Sequence, residues 1–245
     1  MELNDYRAKI KSGSLGGVYI FAGEEDYLKR YYLGELRSAC LTDESFAVFN
    51  HAVYDGKDID FAALMEDVKS PPMMSDYKLI EWHHADFTAM SDKSFSLFFD
   101  LCALVKEYPY AAVAFITTPE GFEANSKKKK ASNQKKAQDE TNFLLFNKST
   151  DNQLYSWLKK HFEANGVSVS LDTLKALLFH SGRSMDVLEK EVKKYLIWYL
   201  QGVKTLLLPN TWKKLHHLRR SAKPLHFQTL LAREIASLPL PRWRK

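Results

Sequence analysis

Several things are scarce in this 245-residue chain, and each scarcity closes off a class of function. There are two cysteines, Cys40 and Cys102, in no CxxC spacing. That excludes a disulfide framework and fits a reduced cytoplasmic protein in which both thiols serve as small core hydrophobes. No apolar run approaches the length that spans a bilayer. The charged start MELNDYRAKIKSG lacks the apolar stretch of a secretion signal. HExxH and G-x-S-x-G are missing, so neither a zinc protease nor a nucleophile elbow finds support. Basic charge is also scarce where the net charge of +5 suggests it should be plentiful. Residues 203–245 hold ten Lys and Arg and one acid, which leaves 25 basic and 29 acidic residues in the first 202. The main body is therefore slightly acidic, and the last 43 residues carry the whole excess.

What is present alternates. Residues 3–11 read as a short helix. Val18–Ala22 read as a strand, and Leu28, Tyr32, Leu36 and Cys40 then fall at helical spacing. FAVFNHAVY (46–54) reads as a second strand, 58–68 as a helix and KLIEW (78–82) as a third strand. Residues 91–108 read as a helix capped by Ser91, 111–118 as a fourth strand stopped by Pro119, and 142–147 as a fifth. Strands alternating with helices predict a mostly parallel sheet covered on both faces, with ligand sites at the carboxyl ends of strands. After residue 148 the period becomes helical throughout. Three segments end at Gly166, Gly182 and Gly202, with apolar faces that include Leu154, Trp157, Leu158 and Phe162, then Leu171, Leu174, Leu177 and Leu178, then Val187, Leu188, Val192 and Tyr195. The expected domains are 1–148 (α/β), 149–202 (a three-helix lid) and 203–245 (a basic tail of a different character).

The loop after the first strand, FAGEEDYLKR, has the frame of a phosphate loop, G-x-x-x-x-G-K-[ST], with its key members replaced. Gly23 and Lys29 stand in register, but Leu28 occupies the second glycine and Arg30 the hydroxyl. A phosphate loop aims backbone N–H groups at the anion, and glycine permits the close approach. Leu28 is too bulky for that, and Arg30 cannot ligate magnesium. Glu24, Glu25 and Asp26 repel a triphosphate, although at a helix start they meet the macrodipole favourably. The fourth strand, VAFITTPE, also lacks the Asp-Glu ending of a magnesium-binding strand. These residues predict a site that binds no nucleotide.

A degenerate loop, a five-stranded α/β core and a three-helix lid together resemble an AAA+ (RecA-like) module. More closely, GVYIFAGEEDYLKRYYLGEL, FNHAVYDGKDIDFAALMEDVKSPPMMSDYKLIEW and LKKHFEANGVSVSLDTLKALLFHSGRSMDVLEKEVKKYLIWY resemble the delta subunit of bacterial DNA polymerase III, over about residues 15–202. That resemblance implies a component of the DNA-directed DNA polymerase (nucleotidyltransferase) holoenzyme that hydrolyses no ATP itself. It needs no cofactor or metal of its own, and it binds and opens the sliding clamp (beta subunit) beside the other clamp-loader subunits, touching DNA indirectly and no membrane. It also implies a hydrophobic pair just before the third strand as the clamp-binding element. The matching stretch is SPPMMSDYK, with Met73 and Met74 as the pair behind Pro72. Flexible thioethers suit an apolar pocket on a partner, and Pro71-Pro72 ends the preceding helix. The other reading is that both methionines pack under the loop into the core.

Three features lie outside this reading. His83, His84 and Asp86 end the third strand, but adjacent strand residues point to opposite faces and make a poor metal pair. Lys127, Lys128, Lys129 and Lys130 are candidates for DNA contact; the alternative is a solvated loop and a short charged helix, since no aromatics interleave with the lysines for base stacking. The tail from Val203 holds four of the eight prolines and has no sustained period. Its back-translated codons, read one frame along with synonymous choices, encode a threonine-proline helix start and an AFAL-type helix like those opening the delta collar domain. An out-of-frame tail with the collar lost is thus one expectation, and a genuine basic tail is its rival. Two alternatives remain for the whole chain: a divergent P-loop NTPase, and a basic nucleic-acid-binding module.

Overall fold

Val18, Tyr19, Ile20, Phe21 and Ala22 form a strand buried on both faces, as a run with no polar side chain must be when it sits centrally in a parallel sheet. The computed structural model describes residues 1–123 and 130–200, and the side chains of 130, 131 and 197–200 are not described. The chain forms two compact units, Met1–Lys148 and Ser149–Lys245.

In the first unit the elements run α1 (Leu3–Ser12), β1 (Gly17–Ala22), α2 (Asp26–Cys40), a 3-10 turn (Glu44–Phe46), α3 (Ala47–Asn50), β2 (His51–Asp55), α4 (Phe61–Lys69), β3 (Lys78–Ala85), α5 (Asp92–Glu107), β4 (Ala111–Thr117), α6 (Lys130–Glu140) and β5 (Asn142–Leu145). The five strands make one sheet in the order β2-β3-β4-β1-β5, every pair parallel. Helices α4, α5 and α6 supply Phe61, Leu64, Val68, Phe95, Phe98, Leu101 and Ala137 to one face. On the other face α1 and α2 supply Tyr6, Tyr32, Leu33, Leu36 and Cys40. Burial pushes the thiols of Cys40 and Cys102 up to about 12, which leaves them as inert core residues. Ser91 caps α5 as expected, its hydroxyl accepting from the Ser94 N–H at 3.1 Å.

Three expectations need correction. FAVFN is not strand. Asp43 accepts the Ser45 N–H at 2.8 Å and starts a 3-10 turn that runs into α3, so pairing begins only at His51. The third strand continues through the histidines to Ala85, which pairs with Thr117 across a bulge where His84 takes φ 59°. In the second unit, α7 (Asp151–Ala164), α8 (Leu171–Ser181) and α9 (Met185–Leu200) pack on one another, but Leu171 and Val187 are exposed rather than on the buried face. Gly166 (φ 72°) and Gly182 (φ 76°) follow α7 and α8 at positive φ. Gly202 and the tail expectation lie outside the described residues.

Candidate functional site

The parallel sheet has two ends. Its carboxyl end holds the loop after β1, and the geometry there explains both Gly23 and Lys29. Gly23 adopts φ 109°, and a Cβ on it would lie 2.3 Å from the Phe146 carbonyl oxygen and 2.6 Å from its carbon. That close approach lets the chain after β5 pin the loop. Glu25 N–H donates to the Phe146 carbonyl at 2.9 Å, and Phe146 N–H donates to Ala22 at 2.8 Å. Lys29 is turned inward with only 2% of its side chain exposed. Its ammonium donates to the Thr117 carbonyl at the end of β4 (2.8 Å) and pairs with Asp26 at 2.8 Å. The cation that would reach a phosphate is therefore held by a carbonyl and by a carboxylate of the same loop. Leu28 is partly buried against the α2 face of the core, Arg30 is exposed on α2, and Glu24 pairs with Lys148 at 3.1 Å.

The amino end of the sheet is built differently. Helix α4 runs back to that end and is tied down by Asp67, which accepts from Lys78 Nζ at 3.0 Å and from the Tyr54 hydroxyl at 2.6 Å. The loop that follows, Ser70 to Tyr77, is fastened at several points. Tyr110 donates its hydroxyl to the Lys69 carbonyl at 3.2 Å, and Tyr77 donates its own to the Gly13 carbonyl. Between these points, the Asn50 side chain grips Met73 from both sides. Its amide donates to the Met73 carbonyl at 2.8 Å, and its oxygen accepts the Met73 N–H at 2.6 Å. Asn50 is itself buried. On this fixed backbone Met73 is 49% exposed and Met74 77%. Met74 also takes φ 52°, rare for a residue with a long side chain. The methionines thus do not pack beneath the loop. Pro72 is half-buried behind them.

Residue-type reasoning missed the neighbours of this tip. Val48 (78% exposed) and Phe49 (57%) project from α3, immediately before the Asn50 that holds Met73. Their apolar character reads as strand, and no local signal marks the Asn50 tie to Met73, 23 residues away.

Behind the tip lies a buried charge cluster. Glu81 in β3 is fully buried. It accepts Arg37 Nε and Nη2 at 2.9 and 2.7 Å and meets His51 and His83, each at 2.9 Å. Burial alone raises its pKa, but the hydrogen bonds from His51, His83 and Arg37, with the Arg37 charge, outweigh that and hold the carboxyl well below the usual carboxylate range. His84 instead meets Asp55 at 2.6 Å, and Asp86 accepts the N–H groups of Thr88 and Ala89. The structure therefore does not bring His83, His84 and Asp86 together on one ion, and no cluster of metal-ligating side chains occurs among the described residues. Lys127, Lys128 and Lys129 lie outside the described residues. Lys130 opens α6, and its side chain is not described.

A family model described as DNA polymerase III, delta subunit, matches residues 19–143. No curated protein matches the chain. Among solved structures, the Bacillus subtilis DNA clamp loader delta protein (YqeN) is similar over 95% of this chain and 72% of its own, at 16% identity and TM-score 0.63. The Thermotoga maritima RuvB Holliday junction branch migration motor is similar over 87% of this chain and 68% of its own, at 11% identity and TM-score 0.49. A DNA polymerase III gamma subunit-related protein from Thermotoga maritima gives 95% and 77%, at 14% identity and TM-score 0.46. The fold, a five-stranded parallel sheet with helices on both faces and further helices after it, is similar to that of the clamp loader delta protein.

Proposed function

Because the chain belongs to the DNA polymerase III delta-subunit family, we propose that it works by binding rather than by catalysis. It engages the sliding clamp through Met73 and Met74, stabilises an opened clamp interface, and leaves ATP hydrolysis to the other loader subunits. Its partners are the clamp and those subunits, it meets DNA through them, and its place of work is the cytoplasm. The observation that carries this reading is the tip itself, two exposed methionines on a loop whose backbone is held by Asn50, Tyr77 and Tyr110. An exposed apolar pair on a mobile loop would lose entropy on binding. A fastened one has already lost it, which is what preorganisation contributes to affinity.

The absence of intrinsic ATP hydrolysis is supported at the other end of the sheet. Lys29 is committed to Thr117 and Asp26, and Asp26 brings a negative charge to the position where a phosphate would need a cation. This weighs against the divergent NTPase reading.

Magnitudes also bear on the tip. Burying two methionines contributes about 1.5–3 kcal/mol each. Micromolar binding needs about 8 kcal/mol net, after an association cost of about 4–15 kcal/mol. Met73 and Met74 are therefore anchors within a larger contact.

The test is surface plasmon resonance of the full chain against its cognate sliding clamp. Met73→Ala with Met74→Ala is expected to weaken binding at least tenfold with an unchanged circular dichroism melt. Undiminished affinity in that variant refutes the tip assignment. Calorimetric titration with ATP-Mg is expected to give no saturable heat, and binding that depends on Lys29 would restore the NTPase reading.

A further inference from the structure

Resting on the tip reading above, we infer that Val48 and Phe49 of α3 form a second apolar anchor that enters the same surface of the sliding clamp as Met73 and Met74. Three observations lead there. First, α3 and the tip are one mechanical piece, because Asn50 is the last residue of α3 and its side chain holds the Met73 backbone from both sides at 2.6 and 2.8 Å. A partner that docks on Met73 is within reach of the residues just before Asn50. Second, Val48 and Phe49 are 78% and 57% exposed, although both are large apolar residues of a kind that folding places inside. With Met73 and Met74 they put four exposed apolar side chains on two segments tied together by Asn50, and exposed apolar surface of this kind marks a protein contact.

Third, the charge pattern is that of an interface core and rim. Residues 45–50 (SFAVFN) and 70–75 (SPPMMS) contain no charged side chain. The exposed charges Asp43, Glu44, Lys69 and Asp76 flank the two stretches. Partner surfaces exclude charge from the centre of a contact and collect it at the edge. A central aromatic is the residue type that most often dominates such a contact, which makes Phe49 the stronger of the two new anchors. The occupant is thus an apolar groove on the clamp, continuous with the pocket that takes the methionines.

The experiment measures clamp binding of the full chain by surface plasmon resonance in parallel variants. They are Phe49→Ser, Val48→Ser, the Met73→Ala/Met74→Ala pair, and Phe179→Ser as an exposed aromatic of the second unit (84% exposed). Melting curves accompany each variant, and sedimentation reports self-association. The expected result is at least a tenfold loss of affinity for Phe49→Ser and about threefold for Val48→Ser, mostly in the dissociation rate. Melting should stay unchanged, and Phe179→Ser should bind like the parent. If Phe49→Ser and Val48→Ser stay within twofold of the parent while the methionine pair is weakened, the second anchor is refuted and the tip reading stands. A Phe49→Ser variant that loses only self-association gives the patch to a second copy of this chain and refutes the inference. Equal weakening in Phe179→Ser reduces the effect to general surface stickiness and also refutes it. A parent chain that does not bind the clamp at all overturns the tip reading, and the second anchor falls with it.

Discussion

Gly23→Ala separates a glycine kept for folding from one kept for phosphate. The added Cβ would lie 2.3 Å from the Phe146 carbonyl oxygen, 2.6 Å from its carbon and 2.9 Å from its nitrogen. These are backbone atoms, so no rotamer change relieves the overlap, and the chain after β5 must move by most of an ångström. Several costs follow. Alanine at φ 109° is strained by about 1–3 kcal/mol. Displacing Phe146 disturbs two backbone hydrogen bonds, Glu25 to Phe146 and Phe146 to Ala22, each contributing about 1 kcal/mol. The Phe146 ring stacks on Phe21 and Tyr32, and forcing a packed core apart costs about 1–3 kcal/mol. The expected loss is about 4 kcal/mol or more, a large share of a typical domain's total. At about 2 kcal/mol per molar urea, the midpoint of the first unit should fall by about 2 M. Gly34→Ala in α2 is the control. Nothing lies within 4 Å of its added Cβ, so it should gain about 0.5–1 kcal/mol from helix propensity. Urea unfolding followed by far-ultraviolet circular dichroism reads both. A Gly23→Ala variant within about 1 kcal/mol of the parent would refute the steric account and return the glycine to a ligand-binding role.

Four further outcomes are expected. Arg37→Ala should cost about 2–3 kcal/mol in urea unfolding, below the usual range for a broken buried pair because Arg37 is 44% exposed, and it should be worse than Glu81→Gln, which removes the buried charge itself. Because the folded Glu81 pKa is depressed, its contribution is fully present above the ordinary glutamate value near 4.3 and is lost as pH falls toward the folded pKa; acid unfolding below about pH 4 should therefore be shallower in Glu81→Gln, and an unchanged acid limb would contradict this. Asn50→Ala should release Met73, cost about 1–2 kcal/mol and speed amide exchange at residues 73–74, and unchanged exchange protection there would show that the grip is dispensable. Met74→Gly should relieve the left-handed strain, leave or slightly raise the melting temperature, and weaken clamp binding; full binding would show that the side chain is not used.

Local pattern was enough for elements whose burial is decided by their own residues. The all-apolar run Val18–Ala22 and the Tyr32, Leu36, Cys40 stripe of α2 are examples, since each matches one period and one face. It failed where a distant group decides. Val48 and Phe49 are apolar residues in a short stretch that alternation cannot distinguish from a strand, and the helix there is completed by Asn50 reaching Met73, 23 residues away. The tenancy of Lys29 depends on a carbonyl 88 residues on, and the necessity of Gly23 depends on Phe146. In KLIEW the glutamate reads as a polar residue in a strand. Its complete burial becomes tolerable only when Arg37 and His51 arrive from other elements. For the methionines, composition alone left core and surface open, and the backbone of the loop decides for the surface.

The two ends of the sheet meet opposite physical demands, and each makes sense of the other. At the carboxyl end, in the loop after β1, Lys29 has Asp26 and Thr117 and the loop backbone has Phe146, so these described groups have partners within the protein. At the amino end the protein does the reverse. It holds Met74 at φ 52° with most of its side chain in water, and buries an asparagine to fix the residue before it. Folding alone favours glycine at such a φ, so Met74 costs stability within the free chain, a cost that the proposed contact with a partner would offset. On the proposed function, a loop whose lysine is already paired and a tip strained outward suit a subunit whose output is a contact and whose energy source would lie in its neighbours.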